Sequence, residues 1–135
     1  MKKVIVTNKK LIECVLVMQH LMNQDVSYKT ALKLDRNANI INEYLEIFNK
    51  QNKELIERYY KTDEKGKMIS DENGKFILRD DKDVNEFISN KQELDNFENS
   101  LEIYEIDPEE LEGVKIKPSQ VESLDFMVSL GDDNN

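Results

Sequence analysis

The stretch from Ser27 to Thr62 constrains this chain more than any other. Its positions at alternating intervals of three and four are Ala31, Leu34, Ala38, Ile41, Leu45, Phe48, Asn52, Leu55 and Tyr59. All but Asn52 are apolar or aromatic, and neither Gly nor Pro interrupts the run. Such a seam keeps one side of a helix turned toward one partner, which predicts a single long helix. Up to Phe48 the seam is flanked by Tyr28, Leu32, Ile40, Tyr44 and Ile47, so this half is expected to be well buried. Beyond Asn49 the apolar positions thin to Leu55, Ile56, Tyr59 and Tyr60, as in a helix packed on one partner only. Asn52 is expected to fix the register of that pairing at some cost in stability.

The flanking segments are read as covering this helix or hanging from its ends. Val4-Ile5-Val6 reads as a short strand, and Thr7 or Asn8 as the cap of a helix to about Met22. That helix is apolar around most of its circumference and is expected to be the central core helix, buried on several sides. After Thr62, Asn73-Gly74 stands between the strand-like runs 68–72 and 75–79, the signature of a two-residue hairpin. This closure pairs Glu72 with Lys75, Ser70 with Ile77 and Ile69 with Leu78, and puts Ile69, Phe76 and Leu78 on one face. Asp80 to Asp83 open a third helix, to about Asn99, expected to return antiparallel along the far half of the long helix.

Leu101, Ile103 and Ile106 alternate with Glu102, Glu105 and Asp107, which predicts a strand. Asp107-Pro108-Glu109-Glu110 starts a single helical turn that Gly113 ends. Val114 to Lys117 alternate as a further short strand, and Ser119 to Glu122 form a capping box for a last helix closed by Gly131. The expected fold is therefore α+β and mainly helical, one domain over 1–135. A base (1–48 and 100–130) holds the strands 4–6, 101–106 and 114–117 in a small sheet. An antiparallel helical arm with a hairpin tip covers 49–99, and 131–135 form a mobile tail.

The residue inventory argues against chemistry. One His, one Cys and four Gly leave no nucleophile–base set and no phosphate loop. Asp81, Asp83 and Asn85 imitate the opening of a calcium loop but lack its Gly and its distal Glu. Neither a catalytic residue nor a cofactor or metal is expected, and the chain is read as a non-enzyme. Cys14, set among Ile12, Val15, Leu16 and Val17, reads as a buried structural thiol in a reducing cytoplasm. His20, near a helix end, reads as a partner of that helix dipole.

Charge is the remaining signal, and it is one-sided. The net charge is -9. Residues 1–34 carry six Lys against Glu13 and Asp25, residues 35–79 are neutral, and residues 80–135 carry seventeen acids against Lys82, Lys91, Lys115 and Lys117. Such a field repels nucleic acids and membranes and draws in basic proteins. Glu102, Tyr104, Glu105, Asp107, Glu109, Glu110 and Glu112 form the densest acidic stretch. Two readings of it stand side by side: a surface imitating a phosphate backbone toward a nucleic-acid-binding protein, and a face kept only for solubility. Ile69, Phe76 and Leu78 offer a second, apolar surface, compatible with self-association or with binding an assembly partner.

Several segments together resemble a known group: Asn8-Lys9-Lys10-Leu11, Tyr28-Lys29-Thr30-Ala31-Leu32-Lys33-Leu34, Leu55-Ile56-Glu57-Arg58-Tyr59, Asp63-Glu64-Lys65-Gly66 and Leu111-Glu112-Gly113-Val114-Lys115-Ile116-Lys117-Pro118. In this order they are similar to an uncharacterised family of small proteins from tailed-phage and prophage genomes of low-GC Gram-positive bacteria. The resemblance covers nearly the whole chain and carries no site residues. It implies a bacterial host cytoplasm and one of two tasks: inhibition of a host defence or nucleic-acid-handling protein, or help in particle assembly.

Overall fold

The computed structural model describes residues 1–129; the expected tail, and Gly131 as terminator of the last helix, lie outside them. The fold is α+β and mainly helical, with one long helix and one two-stranded antiparallel sheet. The chain divides into two compact units, Met1–Leu45 with Glu98–Asn135, and Glu46–Phe97.

In the first unit, β1 (Lys2–Thr7) pairs with β2 (Glu98–Ile103), Val4 opposite Leu101 and Val6 opposite Asn99. Thr7 ends β1 and caps α1 (Asn8–Met22), its hydroxyl accepting the Lys10 N–H at 3.1 Å. Leu11, Cys14, Met18 and Leu21 of α1 meet Leu34 and Ile41 of α2 (Tyr28–Tyr59), with Leu101, Ile103, Ile106, Leu124 and Met127 closing the core. Each such side chain contributes roughly 1.5–3 kcal/mol by leaving water. The core is one-sided on α1: Ile12, Leu16 and Met22 are exposed, so this helix is not buried on several sides as its composition suggested. Nor are all flanks of the long seam buried, since Tyr28 is 81% and Ile47 58% exposed.

The buried line of α2 instead includes two polar residues, Thr30 and Asn37, both fully buried. Thr30 shares a 2.9 Å hydrogen bond with Ser27 Oγ. The Asn37 side chain acts as a strand partner where β2 has ended. Its Nδ2 donates to Tyr104 O at 2.9 Å, and its Oδ1 accepts the Tyr104 N–H at 2.8 Å. Beyond it, Ile106 forms a parallel bridge to Val128.

Three expectations here need correction. Residues 114–117 form no strand, because a side chain has taken their hydrogen bonds: Gln24 Oε1 accepts the Lys115 N–H and Gln24 Nε2 donates to Lys115 O, both at 2.9 Å. The apolar alternation of that segment was real, but it serves packing against helices. The last helix, α4 (Pro118–Ser123), is one short piece, after which turns bring Leu124 and Met127 into the core. The third helix, α3 (Val84–Asp95), stops short of Asn99, where β2 has already begun.

The second unit holds the last part of α2, α3 and the segment linking them. Tyr59 is its anchor, 2% exposed. The phenol donates to Glu86 Oε1 at 2.6 Å and accepts from Asn90 Nδ2 at 2.7 Å, with the Phe87 ring edge-on at 5.7 Å. The hydrogen bond to Glu86, and burial after it, hold the Tyr59 hydroxyl above its usual pKa. Asn52 does not find the partner that its place in the seam suggested: its Oδ1 is buried and makes no hydrogen bond among the described residues. An unpaired buried amide oxygen costs about 1–3 kcal/mol. Asn52→Leu is therefore expected to stabilise the protein by about 1 kcal/mol, read as a higher urea midpoint at an unchanged slope.

The linking segment is not the isolated hairpin expected at Asn73-Gly74. It is a closed ring of three short extended segments. The Lys61 N–H donates to Ile77 O at 2.8 Å, the Ile77 N–H to Ile69 O at 3.0 Å, and the Ile69 N–H back to Lys61 O at 3.0 Å. The bridges Thr62↔Met68, Ser70↔Phe76 and Tyr60↔Leu78 repeat the same relation around the ring. Residues 61, 69 and 77 are eight apart, and the sequence repeats with them: Tyr-Lys-Thr-Asp-Glu-Lys-Gly-Lys from Tyr60, Met-Ile-Ser-Asp-Glu-Asn-Gly-Lys from Met68, then the divergent Phe-Ile-Leu-Arg-Asp-Asp-Lys-Asp from Phe76.

Equivalent turns join the segments. Asp63 Oδ1 accepts the Lys65 and Lys67 N–H groups, and Asp71 Oδ1 accepts those of Asn73 and Lys75. Gly66 and Gly74, each at φ +80°, supply the left-handed residue that ends each turn. In the third turn the left-handed residue is Asp81, at φ +66°, one position earlier than the two glycines. Because Asp71 wraps its turn, three residues rather than two lie in the loop, the arrangement in which a turn ends in a left-handed bulge. The register therefore shifts by one, Ser70 facing Phe76 instead of Ile77. A one-residue slip sends alternate side chains to the other side. Ile69 thus does not share a face with Phe76 and Leu78.

Candidate functional site

The acidic stretch splits into residues facing water and residues spent on the fold. Glu102, on β2 opposite Lys3, is exposed, as are Glu105, Asp107, Glu109 and Glu112. Glu110 is not available. It belongs to a short turn of 3-10 helix (Pro108–Leu111), where its Oε2 accepts the Asp107 N–H at 2.8 Å. Its carboxylate also receives the Lys33 ammonium at 3.0 and 3.1 Å, with Lys29 at 4.0 Å. Tyr104 is held as well: both backbone groups are on Asn37, and the Arg36 guanidinium lies over its ring at 5.7 Å. Lys29, Lys33 and Arg36 recur at helical spacing, so one basic stripe of α2 meets the acidic segment. Sequence reasoning missed that pairing, although the six lysines of residues 1–34 were its signal.

Burial pushes the Glu110 carboxyl up, but the Lys33 hydrogen bonds, the Asp107 N–H and the charges of Lys33 and Lys29 outweigh it. The folded-state pKa is therefore below the ordinary value, and the stabilisation is complete above the unfolded-state pKa of about 4.3. It is lost as pH falls through the depressed folded value. Glu110→Gln is expected to lower the unfolding free energy at pH 7 and to leave it nearly unchanged at pH 2, as urea titrations at the two pH values will show.

The same turn borders an apolar recess. Pro108 and Leu111 line it with Ile116, Val121, Leu124 and Val128, around a volume of about 220 Å³. Glu109 and Glu112, the sequence neighbours of Pro108 and Leu111, are both exposed. An apolar centre within a charged stretch has the composition of a small docking point. Sequence periodicity could not show it, because its lining comes from three separate segments.

The apolar candidates lie in the second unit, where Ile69 is 40% and Phe76 53% exposed and Leu78 is half-buried by its bridge to Tyr60. Cys14 is buried, its sulfur 3.5 Å from Met18 Sδ, and burial pushes its thiol up to about 12. A thiol that stays protonated is no nucleophile at neutral pH. His20 does more than meet a helix dipole: its Nε2 lies 2.9 Å from Lys115 O. Among the described residues no group of three or more His, Cys, Asp or Glu is placed to hold a metal ion. No described helix is long and apolar enough to cross a membrane. Comparison with family models, with curated proteins and with solved structures finds no match to this chain.

Proposed function

We propose that this chain is a phage- or prophage-encoded, non-enzymatic protein-binding module, acting in the bacterial host cytoplasm as an inhibitor of a host defence or nucleic-acid-handling protein. The observation that supports it best is the apolar recess of the 108–128 region, in a stretch of chain where Glu105, Asp107, Glu109 and Glu112 are all exposed. It fits a basic protein surface that offers one apolar side chain to Leu111, Val121 and Val128 and pairs Lys or Arg with Glu105, Asp107, Glu109 and Glu112. Exposed carboxylates steer association, while the buried contact sets how long the complex lasts. The resemblance to phage and prophage proteins supplies the setting.

The test is capture from lysate of a Gram-positive host, read by mass spectrometry, with the wild type beside Glu109→Lys/Glu112→Lys and Val121→Glu. One discrete host protein should be retained by the wild type, be lost from both variants and elute with rising salt. Capture of that protein unchanged by all three perturbations sinks the reading. The exposure of Ile69 and Phe76 favours a second reading, an assembly factor that binds a phage structural protein through the second unit. Phe76→Ser would then abolish capture of a phage protein from infected cells, while Glu109→Lys/Glu112→Lys and Val121→Glu would not.

A further inference from the structure

Segment 114–117 has another side. A cavity of about 450 Å³ is lined by His20, Lys115, Ile116, Lys117 and Gln120. Among the described residues no carboxylate lines it, although residues 80–135 carry seventeen acids and only four Lys. Two of those four are committed elsewhere: Lys82 lies over the Tyr59 ring at 5.2 Å, and Lys91 pairs with Asp95 at 2.6 Å and covers Phe48. The other two, Lys115 and Lys117, are exposed, form no ion pair among the described residues, and converge here with the chain's one His.

The segment is fixed before any ligand arrives. Gln24 clasps both backbone groups of Lys115, and Gln120 Oε1 accepts the Lys117 N–H at 2.9 Å. The last contact uses the oxygen of Gln120 and leaves its NH₂ group as a donor. Lys115 O already accepts from Gln24 Nε2 at 2.9 Å, and His20 Nε2 lies 2.9 Å from that oxygen and 3.0 Å from Gln24 Nε2. The lining residues that can still supply donors are Lys115, Lys117 and Gln120, with Ile116 as the apolar member.

We propose that this cavity is an oxyanion site that takes a single phosphate group, free or as a small phosphate monoester. Ammonium groups bind phosphate as point charges and need no fixed plane, which suits two lysines on one short segment. Holding the segment in place removes part of the ordering cost of binding. The site shares only Ile116 with the recess of the protein-binding reading, and its ligand-binding residues Lys115, Lys117 and Gln120 are tested separately.

The experiment is a titration of the ¹⁵N-labelled full chain with sodium phosphate, with glycerol 3-phosphate, and with sodium chloride at matched ionic strength. Saturable shifts are expected at His20, Lys115, Lys117 and Gln120 with the phosphate ligands, absent with chloride. Lys115→Gln/Lys117→Gln should weaken binding at least tenfold while its far-UV circular dichroism and melting temperature match the wild type. Saturation by phosphate alone, not the ester, would define a free-anion site, and saturation by both a phosphate-group site; either supports the proposal. Shifts that chloride reproduces, that never saturate, or that persist in the double variant overturn it.

Discussion

Asn37→Leu is expected to cost about 3 kcal/mol, because it leaves the N–H and the C=O of Tyr104 without partners beside the core. The new side chain is close in volume, so the loss is not a cavity effect. It comes from two unpaired backbone groups at about 1–3 kcal/mol each, offset in part by added apolar burial. Asn37→Asp separates the two halves of the interaction. It keeps an acceptor for the Tyr104 N–H but sets a second oxygen against Tyr104 O, and should be at least as damaging at neutral pH. Native-state hydrogen exchange suits a chain with two compact units, because it reports stability locally. The amides of Leu34, Ile41 and Tyr104 should lose protection together. A loss under about 1 kcal/mol would mean that water replaces the Asn37 side chain without difficulty.

The second large effect is expected at the ring. Ile77→Pro removes the N–H that donates to Ile69 O and puts a pyrrolidine ring where the two segments meet. About 3 kcal/mol of local stability should go, with exchange protection lost at Lys61 and Ile69 in one step. Ser70→Pro is the control, since the Ser70 N–H is not one of the three donors of the cycle. If Ile77→Pro deprotected Ile77's neighbours but left Lys61 intact, the three segments would be pairwise hairpins rather than a closed unit.

The sequence was legible where periodicity and local capping decide the structure. The long helix, the cap of α1 (narrowed to Thr7 or Asn8, and made by Thr7) and the turn at Pro108 each depend on residues within a few positions of one another. It failed where a side chain does a backbone's work. Asn37 looks like an ordinary helix-surface residue and Gln24 like an ordinary turn residue, yet they complete the edge at Tyr104 and replace a strand at Lys115. The hairpin failed differently. Asn73-Gly74 is so strong a turn signal that it hid the same turn eight residues earlier, at Lys65-Gly66, and with it the repeat. In the acidic stretch, counting charges found the exposed carboxylates but not the one that Lys33 had neutralised. The apolar recess was out of reach of any local pattern.

The ring at residues 60–83 carries a consequence for how this region can change. In an open array of repeats, each unit leaves an edge on which another can grow, so copies are gained and lost freely. Here every segment is already bonded to both others, and a fourth copy has no place to enter. Insertion of one more octad should therefore be expelled as a loop rather than lengthen the structure. Closure also leaves no free edge among the three central groups for a foreign strand to pair with. Change in this region is confined to the two turns that join the segments and to the divergent turn at 79–82 that leads from the last segment to α3.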